Sequence, residues 1–446
     1  MTPSTAARPL VRSIGLPRAT AMVVGTIIGA SIFVQPSEIS RHVPDVAGIL
    51  LVWLVAGLLT FFGALVCAEL ASAFPRTGGV YVFLKETYSP AAGFLWGWAM
   101  FWSMHSGIIA AIAVVVARYI GFFVPLGDVG VRVVAILAIL ILSAVNYAGV
   151  RQGSAVQTFF TIVKVLAIGV MLVLVFALAP GHAAEPAAVT SRGSIHEFAL
   201  ALVGGLFAYG GWHMVTYAAE ETRSPEKTIP RALMIGVTIV TFCYLALNAA
   251  YIYVLPLKQV IGSTRIATDV AAALVGTRSA GAVSILVIVS AFGALGGVIL
   301  AGPRVYFAMA EDGLLFRWLR AVHPRFHTPH RAIAAQAVWS SVLVATGTYR
   351  SLFTAVVYTE WTFFGLMTAG LFLLRRRPGY APAYRTWGYP IVPLLFVAAT
   401  VIIVINQVVA DPASSAMGFL LVAAGLPVYY FWARRGAKGA INSAGH

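Results

Sequence analysis

Two apolar stretches of this chain are interrupted by glycine-rich segments where an unbroken membrane helix would be expected. They lie at residues 25–31 and 204–212. Backbone in lipid must satisfy its own N–H and C=O groups, so a helix can unwind there only if something polar, such as a substrate, occupies the gap. Glycine-broken spans at matching places in two halves of a chain point to the binding site of an inverted-repeat carrier. The pattern therefore favours a membrane carrier.

The composition agrees with a membrane protein. Of the 446 residues, 60% are hydrophobic and 10% are charged, which is too apolar for an ordinary soluble domain. We predict an all-α integral membrane protein with twelve spans, each near the length of about 20 residues that a bilayer requires. The spans are expected near residues 15–36, 47–73, 91–121, 130–147, 155–178, 198–219, 232–254, 280–309, 333–346, 352–374, 391–410 and 417–432.

The distribution of basic residues predicts the orientation. A net charge of +15 would suggest nucleic acid binding in a soluble protein, but here the bases lie in loops of alternating content. The poorer set of loops carries only Arg41, Arg118, Arg132, Arg192, Lys258, Arg265, Arg278 and Arg350. By the positive-inside rule we expect both termini in the cytoplasm. We predict a multi-pass protein of the plasma (inner) membrane that contacts lipid and does not bind nucleic acid.

The two glycine-rich segments differ in chemistry. In the first, small residues leave the backbone accessible, so the second half-helix can direct free N–H groups toward a carboxylate. In the second, paired glycines among aromatic residues expose carbonyl groups, which attract an ammonium group. Together they describe a site that holds an α-amino acid by backbone alone. The alternatives are a small-residue packing face at Gly25 and Gly29, and a glycine kink with packed aromatic rings.

Several polar side chains fall inside the apolar stretches. Lys164 lies mid-span, where a charge costs roughly 2.5–3.5 kcal/mol, and is therefore a functional candidate, with snorkelling to the cytoplasmic side as the alternative. His105 and His213 lack a second ligand at metal spacing, so each either packs through hydrogen bonds or lines a pocket and transfers protons. The same alternatives apply to Glu360 beside Trp361. No metal or cofactor is predicted.

Acidic residues at the cytoplasmic helix ends have two interpretations. Glu69 could pair with a base or be solvated at the interface. Glu220 and Glu221, close to several bases, are interpreted as a solvated face rather than a gate.

These residues resemble the amino acid, polyamine and organocation transporter superfamily, and within it the L-amino-acid transporter branch. The resemblance is carried by residues 25–33, 68–70, 75–81, 164, 207–212, 220–221, 224–225, 229–230, 248–251, 303–304 and 327–329. Two departures stand out. The hydroxyl of Ser31 is displaced by one position from the family's Gly-Ser-Gly-Ile-Phe pattern, and His213 stands where the branch has asparagine or another small polar residue.

The resemblance implies a leucine-transporter-type 5+5 inverted repeat with broken first and sixth helices and two peripheral helices. The expected division is a cytoplasmic tail (1–14), a first repeat (15–178), an extracellular loop (179–197), a second repeat (198–374), a cytoplasmic loop (375–390), two further spans (391–432) and a cytoplasmic tail (433–446).

The resemblance also implies roles for individual residues. Carboxylate contacts fall on Ile27, Gly29, Ala30 and Ser31, and ammonium contacts on Phe207, Ala208 and Gly210. Phe207 would also cover the substrate, and Lys164 would occupy the space that sodium takes in related carriers. His105, His213 and Trp361 are possible pocket residues.

The function expected from this resemblance is sodium-independent transport of neutral L-amino acids by alternating access, through exchange or facilitated transport, without catalytic chemistry. A proton-coupled symporter and an amino-acid-binding membrane sensor are the alternatives. Cys67 and Cys243 both lie in apolar stretches. Animal members of the branch join a partner subunit through a cysteine between the third and fourth spans, and residues 121–130 contain none, so the resemblance implies no disulfide-linked partner subunit.

Overall fold

Helices build the described part of this chain. The structure, a computed structural model, describes residues 12–29, 31–178, 194–276, 279–347 and 349–432. Within these ranges the only strand-like pairing is an isolated bridge between Ile14 and Thr222. The α-helices are α1 (Leu16–Ile27), α2 (Gln35–His42), α3 (Val46–Ala73), α4 (Val80–Thr87), α5 (Pro90–Ala99), α6 (His105–Ile120), α7 (Asp128–Tyr147), α8 (Val150–Leu178), α9 (Ile195–Ala208), α10 (Pro225–Val254), α11 (Leu257–Gly262), α12 (Ile266–Val275), α13 (Ser279–Glu311), α14 (His330–Thr346), α15 (Tyr349–Leu374), α16 (Ile391–Ala410) and α17 (Pro412–Ala423).

Ten helical stretches within the described residues are long and apolar enough to cross a membrane. Helices α14, with 17 residues, and α15, with 26, occupy the positions of the ninth and tenth expected spans. The expectation of a helical protein with many membrane spans is confirmed. The number twelve and the 5+5 repeat remain predictions.

Both predicted interruptions are breaks in the helices. Helix α1 ends at Ile27, and a short 3₁₀ turn at Ser31–Phe33 leads into α2. Helix α9 ends at Ala208, and the chain continues as the 3₁₀ segment Trp212–Glu221. The glycines therefore end a helix within each span rather than only supplying a packing face.

The broken helices lie at the centre of the helix packing. Helix α1 packs against α8, α10 and α13, while α2 packs against α9. Helices α16 and α17 are peripheral, with large apolar side chains such as Ile402 and Leu420 exposed. Such a surface fits a lipid environment. The polar site is therefore surrounded by helices and separated from lipid.

Glu69, whose partner the sequence left open, is fully buried and paired with a base. Its carboxylate accepts hydrogen bonds from the guanidinium of Arg375 at 3.0 and 2.6 Å, and from the backbone N–H of Thr386 at 2.7 Å. The Arg375 guanidinium also lies 3.9 Å from the Tyr389 ring centroid. This pairing attaches the loop after α15 to α3.

Replacing Glu69 with alanine is expected to destabilise the protein. The change leaves Arg375 without its buried partner, and breaking such a pair costs about 3 kcal/mol or more. The matched control is Glu38→Ala, since Glu38 pairs with Arg41 at an exposed position where such pairs contribute less than about 1 kcal/mol. Thermal unfolding in detergent should show a lower midpoint for Glu69→Ala alone. Equal midpoints for the two variants would contradict this assignment.

Candidate substrate site

Lys164 holds the unwound end of α1. The side chain is 2% exposed, and its ammonium donates hydrogen bonds to the carbonyl groups of Gly25 at 3.1 Å, Ile28 at 2.6 Å and Ser290 at 3.1 Å. Carbonyls near the end of a helix lack intrahelical partners, so a buried cation there satisfies them and is itself stabilised. Lys164 thus joins the first break to α13 and does not snorkel to the surface.

A polar stripe on α8 extends this attachment. Gln157, Thr161 and Lys164 follow one another at helical spacing. The Thr161 hydroxyl lies 3.2 Å from the Ala21 carbonyl oxygen, and the Gln157 amide lies 3.5 Å from that of Met22. Gly25 lacks a Cβ where Thr161 approaches, so the packing interpretation of Gly25 is correct alongside the break.

The two breaks touch each other. The Thr26 hydroxyl lies 3.2 Å from the carbonyl oxygen of Gly211. Gly211 has a φ of 95°, and a Cβ added to it would lie 3.2 Å from both the Cβ and the carbonyl oxygen of Thr26. Only glycine combines this conformation with so close an approach. The paired glycines therefore allow the second break to meet the first.

Tyr244 on α10 connects the ends of both half-helices. Its hydroxyl lies 2.9 Å from the Ile27 carbonyl oxygen and 3.0 Å from the Ala208 carbonyl oxygen, and the ring is fully buried. A phenol has a single O–H, so it donates to one of these carbonyls at a time and keeps lone pairs for another donor. Sequence reasoning missed Tyr244, because a tyrosine in an apolar span reads as core.

A cavity of about 30 Å³ lies between the breaks. Residues of both broken segments and of α6, α13 and α15 line it. They are Thr26, Ile27, Gly29, Ser31, Ile108, Ile112, Leu206, Phe207, Gly210, Gly211, Met214, Val298, Glu360 and Trp361. Five of the seven expected head-group residues therefore line one space. Of the other two, Ala208 supplies a nearby carbonyl and Ala30 lies outside the described residues.

The backbone groups at the breaks are not all equally available. The N–H of Gly29 donates to the Ile27 carbonyl at 2.8 Å, and the N–H of Gly210 donates to that of Phe207 at 2.9 Å. Ser31 starts the turn that leads into α2. An incoming carboxylate would therefore meet the backbone from Ser31 onward more readily than the N–H of Gly29.

The possible pocket residues occupy different places. Trp361 lines the cavity and stacks on Phe396 with ring centroids 5.2 Å apart. The Nε2 of His105 donates to the Val298 carbonyl at 2.8 Å, which links α6 to α13. His213 lies 3.6 Å from the carboxylate of Glu360.

A second and larger cavity, of about 880 Å³, lies on the side with few basic loops. It is lined by α2, α6 and α9 and by the segment between α11 and α12, including Gln35, Arg118, Leu200 and Arg265. At its rim, His42 Nδ1 lies 2.7 Å from the carboxylate of Glu197. The described residues therefore leave a large cavity on this side of the broken helices.

The opposite side is closed by contacts around Glu221. Its carbonyl accepts hydrogen bonds from the N–H groups of Ser13 at 2.9 Å and Ile14 at 3.0 Å. Its carboxylate, 1% exposed, lies 3.3 Å from the guanidinium of Arg304 on α13. The expectation of a solvated face was wrong for Glu221, because the break in the sixth span turns this residue inward against α13.

Known proteins resemble this chain over nearly its whole length. A family model described as amino acid permease matches residues 14–431. The chain is 34% identical to the serine/threonine exchanger SteT of Bacillus subtilis (strain 168), covering 96% of this chain and 98% of that protein. It is 31% identical to the cystine/glutamate transporter of Homo sapiens, over 95% and 85% of the two chains. It is 32% identical to the large neutral amino acids transporter small subunit 2 of Oryctolagus cuniculus, over 94% and 80%.

Removing the Tyr244 hydroxyl is expected to weaken the interaction of this site with an amino acid. In Tyr244→Phe the carbonyls of Ile27 and Ala208 lose their common partner, and a hydrogen bond of about 1–1.5 kcal/mol corresponds to roughly a tenfold loss of affinity. Tyr251→Phe is the control, because the Tyr251 hydroxyl on the same helix has no hydrogen-bond partner among the described residues. Half-saturation concentrations for labelled amino acid uptake measure the effect. Equal values for the two variants would exclude the bridging role.

Proposed function

The chain belongs to the amino acid permease family of membrane transporters, and on that premise we propose that it carries neutral L-amino acids across the plasma membrane independently of sodium. Its homologues are amino acid transporters and exchangers rather than enzymes. We place both termini in the cytoplasm and assign twelve spans as two inverted repeats of five with two peripheral helices. The single observation that carries the proposal is the cavity enclosed by the two helix breaks.

The amino acid head group binds to the backbone in this proposal. Its carboxylate meets the N–H groups at the start of the Ser31 turn, with Ile27, Gly29 and Ala30 alongside. Its ammonium group meets the carbonyls at the second break, on Phe207, Ala208 and Gly210. Phe207 lines the same cavity and covers the substrate. Backbone recognition leaves side-chain selection to the other walls of the cavity.

Lys164 supports sodium independence. Hard cations such as sodium bind where several oxygen atoms converge. Here the ammonium group of Lys164 lies among carbonyls of α1 and α13. A second cation at the same place would be repelled by this charge and would lack free oxygen ligands.

The asymmetry of the two sides supports alternating access. The 880 Å³ cavity lies on one side of the broken helices, while the Glu221 contacts close the other. Rocking of α1 and α9, with their continuations, against the remaining helices would reverse this arrangement. Cys67 and Cys243 are both buried, and we propose a carrier that works without a disulfide-linked subunit.

Proton-coupled symport is the second candidate. The observation that favours it is the buried pair of Glu360 and His213 beside the cavity, which could hold or release a proton as substrate binds. The two mechanisms differ in what drives accumulation. Exchange requires amino acid on the opposite side, whereas symport requires only an inward proton gradient.

Counterflow in proteoliposomes tests the proposal. Vesicles loaded with unlabelled alanine should accumulate labelled alanine transiently, at the same rate when choline replaces sodium. An amino-acid sensor would bind alanine without accumulating it. A strict sodium requirement would contradict the proposal, and accumulation into empty vesicles by a proton gradient alone would favour symport.

Replacing Lys164 with alanine is expected to slow this counterflow. The variant loses three charge-assisted hydrogen bonds that hold the first break, and even one of them contributes about 1.5–3 kcal/mol, so the rate should fall about tenfold or more. Lys258→Ala, at an exposed position on α11, is the control and should exchange normally. Unchanged flux in Lys164→Ala would refute the coupling role of Lys164.

A further inference from the structure

The cavity between the two breaks has one acidic wall. Glu360 on α15 is 6% exposed and lines the cavity together with Ile27, Phe207 and Gly210. These are the residues assigned to the amino acid head group, so a bound substrate would place its side chain within the same small space as this carboxylate.

Among the residues that the structure describes, none donates a hydrogen bond to the Glu360 carboxylate at normal distance. Its nearest ionisable neighbour among the described residues is His213, whose Nε2 lies 3.6 Å from Oε1. That separation is too long for a hydrogen bond. A carboxylate has about four acceptor sites and gains from each donor it meets, so Glu360 is poised to accept from a ligand in the cavity.

His213 is unusually short of partners as well. It is 1% exposed, and neither ring nitrogen has a hydrogen-bond partner among the described residues. Its ring packs against those of Trp96, Tyr217 and Phe364, with centroids 5.9, 5.4 and 4.8 Å away. These rings hold the imidazole beside Glu360 and out of the cavity, so His213 acts on a substrate only through Glu360.

We propose that Glu360 is the residue that selects the substrate side chain, and that it favours short side chains ending in an O–H or N–H donor over apolar ones of the same shape. His213 is a positioning residue that lies beside Glu360, outside the lining of the cavity. This inference rests on the proposed function, because it assumes that the head group binds at the helix breaks.

The physical basis is the cost of leaving a buried acceptor without a partner. A hydroxyl or amine on the substrate donates a hydrogen bond to Glu360. A methyl group in its place displaces water from Glu360 without donating a hydrogen bond. Sites built to hydrogen-bond a substrate group therefore discriminate against the analogue that lacks it far better than apolar pockets do. Size acts in the same direction, since the bulky side chains of Trp361 and Met214 line the same cavity as Glu360.

Isosteric pairs of amino acids test this inference in the full-length protein. Each amino acid is added as an inhibitor of labelled alanine counterflow. The inhibitory concentration of threonine is compared with that of valine, and that of serine with that of 2-aminobutyrate. We expect threonine and serine to inhibit at concentrations up to about tenfold below those of their apolar isosteres, as one buried hydrogen bond predicts. 2,3-Diaminopropionate shows whether the donor is an ammonium or a hydroxyl group, and either preference over 2-aminobutyrate supports the proposal.

Variants assign the preference to its residues. Glu360→Leu should bring the threonine-to-valine ratio close to one, while Glu360→Gln, which keeps an acceptor oxygen, should restore part of it. His213→Asn should raise the half-saturation concentration for threonine more than that for valine, a difference that general misfolding would not produce. Thr362→Val is the matched control on α15, because its hydroxyl donates only to the carbonyl of Tyr358, 2.8 Å away in the same helix.

The outcomes separate this inference from the proposed function. Equal inhibition by each isosteric pair in the wild-type protein, or an unchanged ratio in Glu360→Leu, would overturn the selectivity role while alanine counterflow still supported a carrier. Absence of alanine counterflow in the wild-type protein would instead count against the proposed function.

Discussion

The constraint on which this structure depends is that backbone polar groups inside a membrane must find partners. Two spans break in the middle, and the protein supplies partners for the freed groups from neighbouring helices. Lys164 satisfies the carbonyls of Gly25 and Ile28, while Tyr244 reaches one carbonyl at each break. Specific contacts from neighbouring helices therefore stabilise both breaks. The backbone groups at the breaks that can still form hydrogen bonds face a common cavity. A polar substrate would bind to these groups.

The same contacts couple the breaks to each other. Thr26 meets Gly211 directly, and Tyr244 contacts both half-helices, so a displacement of one break alters the surroundings of the other. Farther along the same spans, Ser13 and Ile14 just before α1 contact Glu221 at the end of the broken sixth span. Both broken spans thus meet at the site and at the closed side. A substrate that changes the site can thereby affect closure without a separate relay.

The sequence predicts the helical membrane fold and the two break positions well, because hydropathy and glycine placement are local signals. It also identifies Lys164, since a charge within an apolar stretch is conspicuous. Tyr244 and the buried state of Glu221 could not be predicted, because each depends on the approach of helices distant in sequence. Glu360 and His213 were visible as candidates, but nothing local shows that α15 places them side by side. The helices α11 and α12 also escaped prediction, since they are too short to form spans.

The central claim is that both charged ends of an amino acid head group are held by backbone at the two breaks. Inhibition of labelled alanine uptake by head-group analogues tests it most directly. Alanine, alanine methyl ester and N-acetylalanine share one side chain. Alanine carries both charges of the head group, the methyl ester lacks the carboxylate charge, and N-acetylalanine lacks the ammonium charge. The account predicts that alanine inhibits strongly and that each analogue inhibits at least about tenfold more weakly, because even one lost charge-assisted contact costs about 1.5–3 kcal/mol. Inhibition by the ester or the N-acetyl compound equal to that of alanine would contradict it.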